Sequence, residues 1–213
     1  MSSTIPTIPT DSYAMQRALW PESGQHILAC YDEKTIVVYQ AYSPAIGNAA
    51  AASGRFSAGW SRTRMSWIKP NFLWMMYRCG WAEKPDQEVV LAIRLIREGF
   101  EQILARAEYS AFSPQRYASR AAWKRAVAES SVRLQWDPDH DPHGNKLARR
   151  AIQLGLRGPS LAQFADEWIE SITDITDFVR AQRAQRDNFV ALQLPRERVY
   201  RPRDPEVAAR LGL

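Results

Sequence analysis

A chain of 213 residues, 46% of them hydrophobic and 24% charged, has ordinary globular composition and enough apolar material for one core, which excludes a disordered or collagen-like protein. The longest uncharged apolar stretch, around Pro70 to Tyr77, falls well short of the ~20 residues that cross a bilayer, so no membrane partner is expected. The net charge of +5 rests on arginine, because only Lys34, Lys69, Lys84, Lys124 and Lys146 are lysines; arginine suits bidentate phosphate recognition, and a GC-rich genome produces the same skew.

Residues 1–10 alternate Ser, Thr, Ile and Pro without the basic and apolar regions of a signal peptide, which predicts a flexible tail on a cytoplasmic protein. His26 to Tyr31 and Thr35 to Ala41 read as two strands joined by the tight polar turn Asp32-Glu33-Lys34. Ser43-Pro44 opens a short Ala-rich helix that Gly54 stops. Arg62 to Ile68 alternates as a strand that Lys69-Pro70 ends, and Asn71 caps a compact helix through Arg78 with Gly80 at its C-terminal side, a second strand being the alternative for the same segment. The β-branched run Glu88 to Ile96 is the clearest strand, followed by a helix from Glu98 to Ala107. Ser119 to Ser130 forms an amphipathic helix with Trp123 and Val127 inward. Val132 to Trp136 is a half-buried strand running into an Asp137-Pro138 turn, and Ala151 to Leu156 returns as another. A helix from Pro159-Ser160 carries Leu161, Phe164, Ala165, Trp168 and Ile172, and Asp174 or Thr176 caps a last one to about Arg186.

No repeat or linker divides this series. The expected fold is α+β, one domain over residues 11–202 with a mixed or antiparallel sheet, continuous or split, and flanking helices, and a basic tail over 203–213. Cys30 and Cys79, with no CxxC spacing, predict buried free thiols rather than a disulfide or zinc site. P-loop, dinucleotide-fold, zincin and nucleophile-elbow motifs are all missing.

The densest stretch is Arg62 to Trp81, which interleaves Arg62, Arg64, Lys69 and Arg78 with Trp67, Phe72, Trp74, Tyr77 and Trp81. Cations for phosphate and flat rings for bases are what a nucleotide or nucleic acid needs; a core strand and helix with solvated cations is the competing explanation. Asp137, Asp139, His140, Asp141 and His143 offer a metal or general-base set, but their spacing matches no calcium or zinc signature, and a polar turn is the simpler reading. Asp166, Glu167 and Glu170 read as a solvated helix face rather than paired catalytic carboxylates.

The segments VYQAYSPAIGNAA, RMSWIKPNFLWMMYRCGWA, QEVVLAI, VRLQWDPD, RRAIQLGLRG and ITDFV, in that order, resemble the bacterial family known as domain of unknown function 4291 over most of Ile27 to Tyr200. At the level of layout, the strands VVYQA, RMSWI and QEVVLAI also resemble the split sheet of ADP-ribosyltransferase-like proteins. That resemblance implies an NAD cofactor, with Tyr39-Gln40, Ser66-Trp67 and Gln87-Glu88 at the three positions such proteins use. Gln40 stands where a cation or imidazole is usual, and Glu88 lacks the common Gln-x-Glu spacing. The resulting expectation is an NAD- or nucleotide-binding protein: Arg64, Lys69 and Arg78 on the pyrophosphate, Trp67 or Tyr77 stacked on a base, Tyr39, Gln40 and Ser66 lining the site, and Glu88 as the catalytic residue at the ribose. Alternatives from other classes are a nucleic-acid-binding module without catalysis and an interaction protein whose tryptophans are core.

Overall fold

The computed structural model describes residues 8–57 and 59–213, so most of the predicted tail over 1–10 lies outside the described residues. In chain order the strands are β1 (Thr10–Ser12), β2 (Gly24–Gln25), β3 (Ile27–Ala29), β4 (Thr35–Tyr42), β5 (Ser66–Ile68), β6 (Val89–Ile96), β7 (Ala107–Tyr109), β8 (Val132–His140), β9 (Lys146–Leu156), β10 (Ile169–Asp174), β11 (Gln193–Pro195) and β12 (Arg198–Tyr200). The helices are α1 (Tyr13–Leu19), α2 (Pro44–Ser53), α3 (Phe72–Cys79), α4 (Arg97–Ala105), α5 (Arg120–Glu129), α6 (Gly158–Gln163), α7 (Thr176–Arg183) and α8 (Pro205–Leu211), and a π-helical turn, Phe164–Trp168, follows α6.

The fold is α+β, and two sheets organise it. One is antiparallel in the order β10-β6-β4; the other runs β2-β9-β8-β7, with β5 sharing the edge of β9 that β2 leaves open. Alternation along β4 and β6 sends Ile36, Val38, Leu91 and Ile93 to one face and Val37, Tyr39, Val90 and Ala92 to the other. The first face packs on Leu134, Trp136, Ile152 and Leu154 of the second sheet and on Phe100 and Ile103 of α4; the second packs on Phe72 and Met76 of α3 and Phe178 of α7. Buried on both sides, these two strands read as nearly continuous apolar runs. The sheets meet where Tyr39 N–H donates to the Lys69 carbonyl (2.7 Å) and Lys69 N–H returns a bond to Tyr39 (3.3 Å).

Local chemistry explains most boundaries. Asp32 Oδ1 accepts the Lys34 and Thr35 amides and closes the β3–β4 hairpin at the predicted turn. Asn71 accepts the Trp74 amide as N-cap of α3, Gly80 ends that helix in the left-handed region, and Gly54 does the same for α2. Cys30 and Cys79 are buried free thiols, and burial pushes Cys30 up to about 11. Among the described residues no helix is long and apolar enough to cross a membrane.

The structure corrects several boundaries. The Arg62 strand begins only at Ser66, because Ser61 Oγ accepts the Thr63 and Arg64 amides and folds those residues into a turn. β8 passes through Asp137-Pro138, and the turn falls at Asp141, which accepts the His143 and Asn145 amides. The helix from Pro159 stops early, and Ile172 lies on β10, paired with Ile93. No residue of α5 is fully buried; Trp123 anchors it by donating Nε1–H to the Tyr109 carbonyl. The segment expected as a tail from 203 forms α8, which carries Leu211 into the core.

Gly99 of α4 lies so close to the Trp168 indole that a methyl group there would overlap it. Gly99→Ala is expected to lose about 1–3 kcal/mol in urea denaturation despite alanine's better helix propensity, because the backbone or the ring must move.

Candidate functional site

The inward row of β4 changes character along its length: Ile36 and Val38 are core, while Gln40 and Tyr42 beyond them are polar and reach the end of the sheet. A cleft of about 760 Å³ opens there, at the seam between the two sheets, within the range of ligand sites. Gln40 and Tyr42 of β4, Ser66 and Trp67 of β5, Lys69 just beyond it, Met75 and Arg78 of α3, and Gln135 and Gln153 of β8 and β9 line it, with Trp60, Arg64, Asp86 and Gln87 from the loops.

A hydrogen-bonded chain crosses its floor. Trp60 Nε1–H donates to the Tyr42 hydroxyl (2.9 Å), Tyr42 and Ser66 share one bond (3.2 Å), and Gln40 Nε2 donates to Ser66 Oγ (2.7 Å) and to the Trp67 carbonyl (3.1 Å). The Tyr42–Ser66 bond uses one of the two hydroxyl hydrogens. The other has no acceptor among the described residues, and Gln40 Oε1 is buried without a donor. Buried polar groups are normally paired, so this floor offers one donor and one acceptor to a ligand. On the wall, Gln153 bridges Gln135 and Asp137, and the absent side chain of Gly155 makes room for Met65 and Trp67, whose atoms lie 2.7 and 3.0 Å from where a Cβ would stand.

The cations are the second feature. Lys69 is only 5% exposed, and among the described residues its ammonium makes a single long bond, 3.4 Å, to the Trp67 carbonyl. Burial, and then the nearby Arg78 charge, push its pKa down to about 8, against a partly compensating Asp137. Arg64 and Arg78 are exposed, and among the described residues neither guanidinium has an ion pair or hydrogen bond. Arg62, by contrast, is taken up by a bidentate pair with Asp166 (2.7 and 2.8 Å) and lies outside the cleft lining.

Six of the nine residues expected at a site therefore line one cleft: Gln40, Arg64, Ser66, Trp67, Lys69 and Arg78. Three do not. Tyr39 points to the opposite face of β4, fully buried against Phe72, and contributes only its backbone bridge to Lys69. Tyr77 stacks on His140, with ring centroids 3.5 Å apart, because it sits one position round α3 from the face that carries Met75 and Arg78. Glu88 faces a separate groove with Asn48, Asp174 and Arg180; on an extended chain neighbouring side chains point oppositely, and it is Gln87 that enters the cleft. The floor residues Tyr42 and Trp60 and the wall amides Gln135 and Gln153 were missed. Only the even-numbered polar ending of β4 signalled Tyr42 in advance.

The acidic-histidine segment forms the end of the β8–β9 hairpin. Asp139 pairs with Arg149 of β9 (2.6 Å), both nearly fully buried, and Arg149 also donates to the Pro21 carbonyl and lies over the Trp20 ring. Among the described residues no group of three or more His, Cys, Asp or Glu side chains is placed to hold a metal ion.

An α+β domain with a cationic, amide-lined cleft at the seam of its two larger sheets is the class of protein that these features define. The chain belongs to the family described as "Domain of unknown function (DUF4291)", which matches residues 26–200 and so takes in every residue of the cleft. No curated protein matches the chain.

Proposed function

We propose that the cleft binds a nucleotide of the NAD or ADP-ribose kind, with its phosphates on the cationic side and a sugar or base edge on the Gln40–Ser66–Tyr42 floor. One observation carries this reading: Arg64, Lys69 and Arg78 line a single cleft, and among the described residues none has an ion-pair partner. Cations that share a cleft without ion-pair partners repel one another, and with only Asp86 on the lining and Asp137 near Lys69 to offset three of them, an anionic ligand relieves the excess. Arginine forks suit phosphate oxygens, and the exposed part of Trp67 supplies a flat face for a base. The proposal is for binding; with Glu88 in another groove, no carboxylate identified from sequence stands ready to assist at the ribose.

Calorimetry with NAD, ADP-ribose and ATP tests it. Binding is expected, and Arg64→Ala and Arg78→Ala are each expected to weaken it by roughly 10- to 100-fold, the value of a charge-assisted hydrogen bond. No heat from any of the three at millimolar concentration would overturn the reading. Binding only to oligonucleotides, with affinity falling steeply in salt, would transfer the site to nucleic acid.

A further inference from the structure

Lys69 differs from every other lysine in the chain. Lys34, Lys84, Lys124 and Lys146 are exposed, whereas the Lys69 side chain is held in the cleft with, among the described residues, one weak hydrogen bond and no carboxylate in ion-pair contact. Arg64 and Arg78, whose guanidinium groups have no ion pair or hydrogen bond among the described residues, line the same cleft. An amine so placed has little to hold its proton, and with its pKa near 8 a substantial fraction carries a free lone pair in mildly alkaline solution. Desolvation beside another cation is a general means of making a lysine nucleophilic toward carbonyl carbon.

We propose that Lys69 condenses with the aldehyde of a phosphate-bearing carbonyl compound, a class that includes open-chain sugar phosphates and the ring-opened terminal ribose of a nucleoside-diphosphate sugar, while Arg64 and Arg78 hold the phosphate. The nitrogen lone pair attacks the carbonyl carbon, a C–N bond forms as the C=O π pair moves to oxygen, and the nitrogen's proton passes to that oxygen. The resulting carbinolamine loses water to leave a C=N bond, so amine plus aldehyde gives imine plus water, with no oxidant or reductant. The inference rests on the phosphate-binding reading of the same cleft and names the chemistry of the compound bound there.

The probe is pyridoxal 5′-phosphate, which carries both groups, with pyridoxal as its phosphate-free counterpart. Each is incubated with the full chain at pH 8, reduced with cyanoborohydride to fix any imine as a secondary amine, and located by intact mass and peptide mapping. One adduct per chain on the peptide containing Lys69 is expected, at least 10-fold above labelling of the four exposed lysines and above the yield with pyridoxal, and suppressed by excess ADP-ribose. Lys69→Arg keeps a cation and is expected to remove that adduct with the far-ultraviolet circular dichroism unchanged; the competition result stands on its own if the variant does not fold. A parallel calorimetric titration with inorganic pyrophosphate separates the two ideas. Pyrophosphate binding with labelling no greater at Lys69 than at the exposed lysines would overturn the imine and leave the nucleotide cleft intact; no pyrophosphate binding and no selective adduct would overturn both.

Discussion

Arg149→Met is expected to lower the stability of the chain by about 3–5 kcal/mol, the loss seen when one member of a buried ion pair is removed. Asp139 is 1% exposed, and both Arg149 Nε (2.8 Å) and Nη2 (2.6 Å) reach its Oδ2. Without them Oδ2 loses its charged partner, and among the described residues the carboxylate keeps only the His140 amide on Oδ1 (2.8 Å). The Pro21 carbonyl and the Trp20 ring lose their cation as well. The double variant Asp139→Asn, Arg149→Met is expected to recover a large part of the loss, because the uncompensated charge has gone. Urea denaturation of the three proteins at pH 7 checks this, and a single variant within 1 kcal/mol of the parent would show that the pair is solvated rather than buried.

Lys69→Met should do the reverse and stabilise the protein. The folded pKa of about 8 lies below the ordinary 10.5, so between those values the unfolded chain binds more protons than the folded one. Stability contributed by this group therefore rises with pH from about 8 to 10.5, and below pH 8 the full cost of holding the ammonium is present. At 1.36 kcal/mol per pKa unit that cost is about 3 kcal/mol. Methionine fills similar volume without charge, so the variant is expected to be more stable than the parent by up to about 3 kcal/mol at pH 7, the difference closing by pH 10.5. Comparing the two proteins isolates Lys69 from Cys30, Cys79 and the buried tyrosines, which titrate nearby in both and have their own pKa values raised by burial. The same variant should lose nucleotide binding, the mark of a residue kept for a ligand at the expense of the fold.

The sequence was most legible where one local rule acts alone. Asn71 and Gly80 bound a helix by capping, Asp32 closes a turn, and the β-branched run of β6 is a strand in any context. It was least legible where tertiary partners decide. Ile172 has helical spacing from Trp168, but pairing with Ile93 draws it into a sheet. Asp139 looks like part of an acidic loop until the hairpin brings Arg149 across from it. For the cleft, the interleaving of cations and rings in Arg62 to Trp81 located six lining residues, and it could not separate the two sides of the helix that puts Arg78 in the cleft and Tyr77 against His140. Nor could it place Gln135 and Gln153, which are remote in sequence and join the wall only because β8 and β9 pair there.

The bridge between Tyr39 and Lys69 bears on how binding would be felt. Its two hydrogen bonds join the sheets, and one of the two residues they join is Lys69, which lines the cleft. Lys69 is thus carried on a contact between the two larger sheets, next to the core that Ile36 and Val38 form with Leu134 and Ile152. Separating the sheets would dismantle the site, and a ligand bridging Lys69 to the β4 floor would hold the sheets together. Occupancy would then be felt as added stability of the whole chain against unfolding.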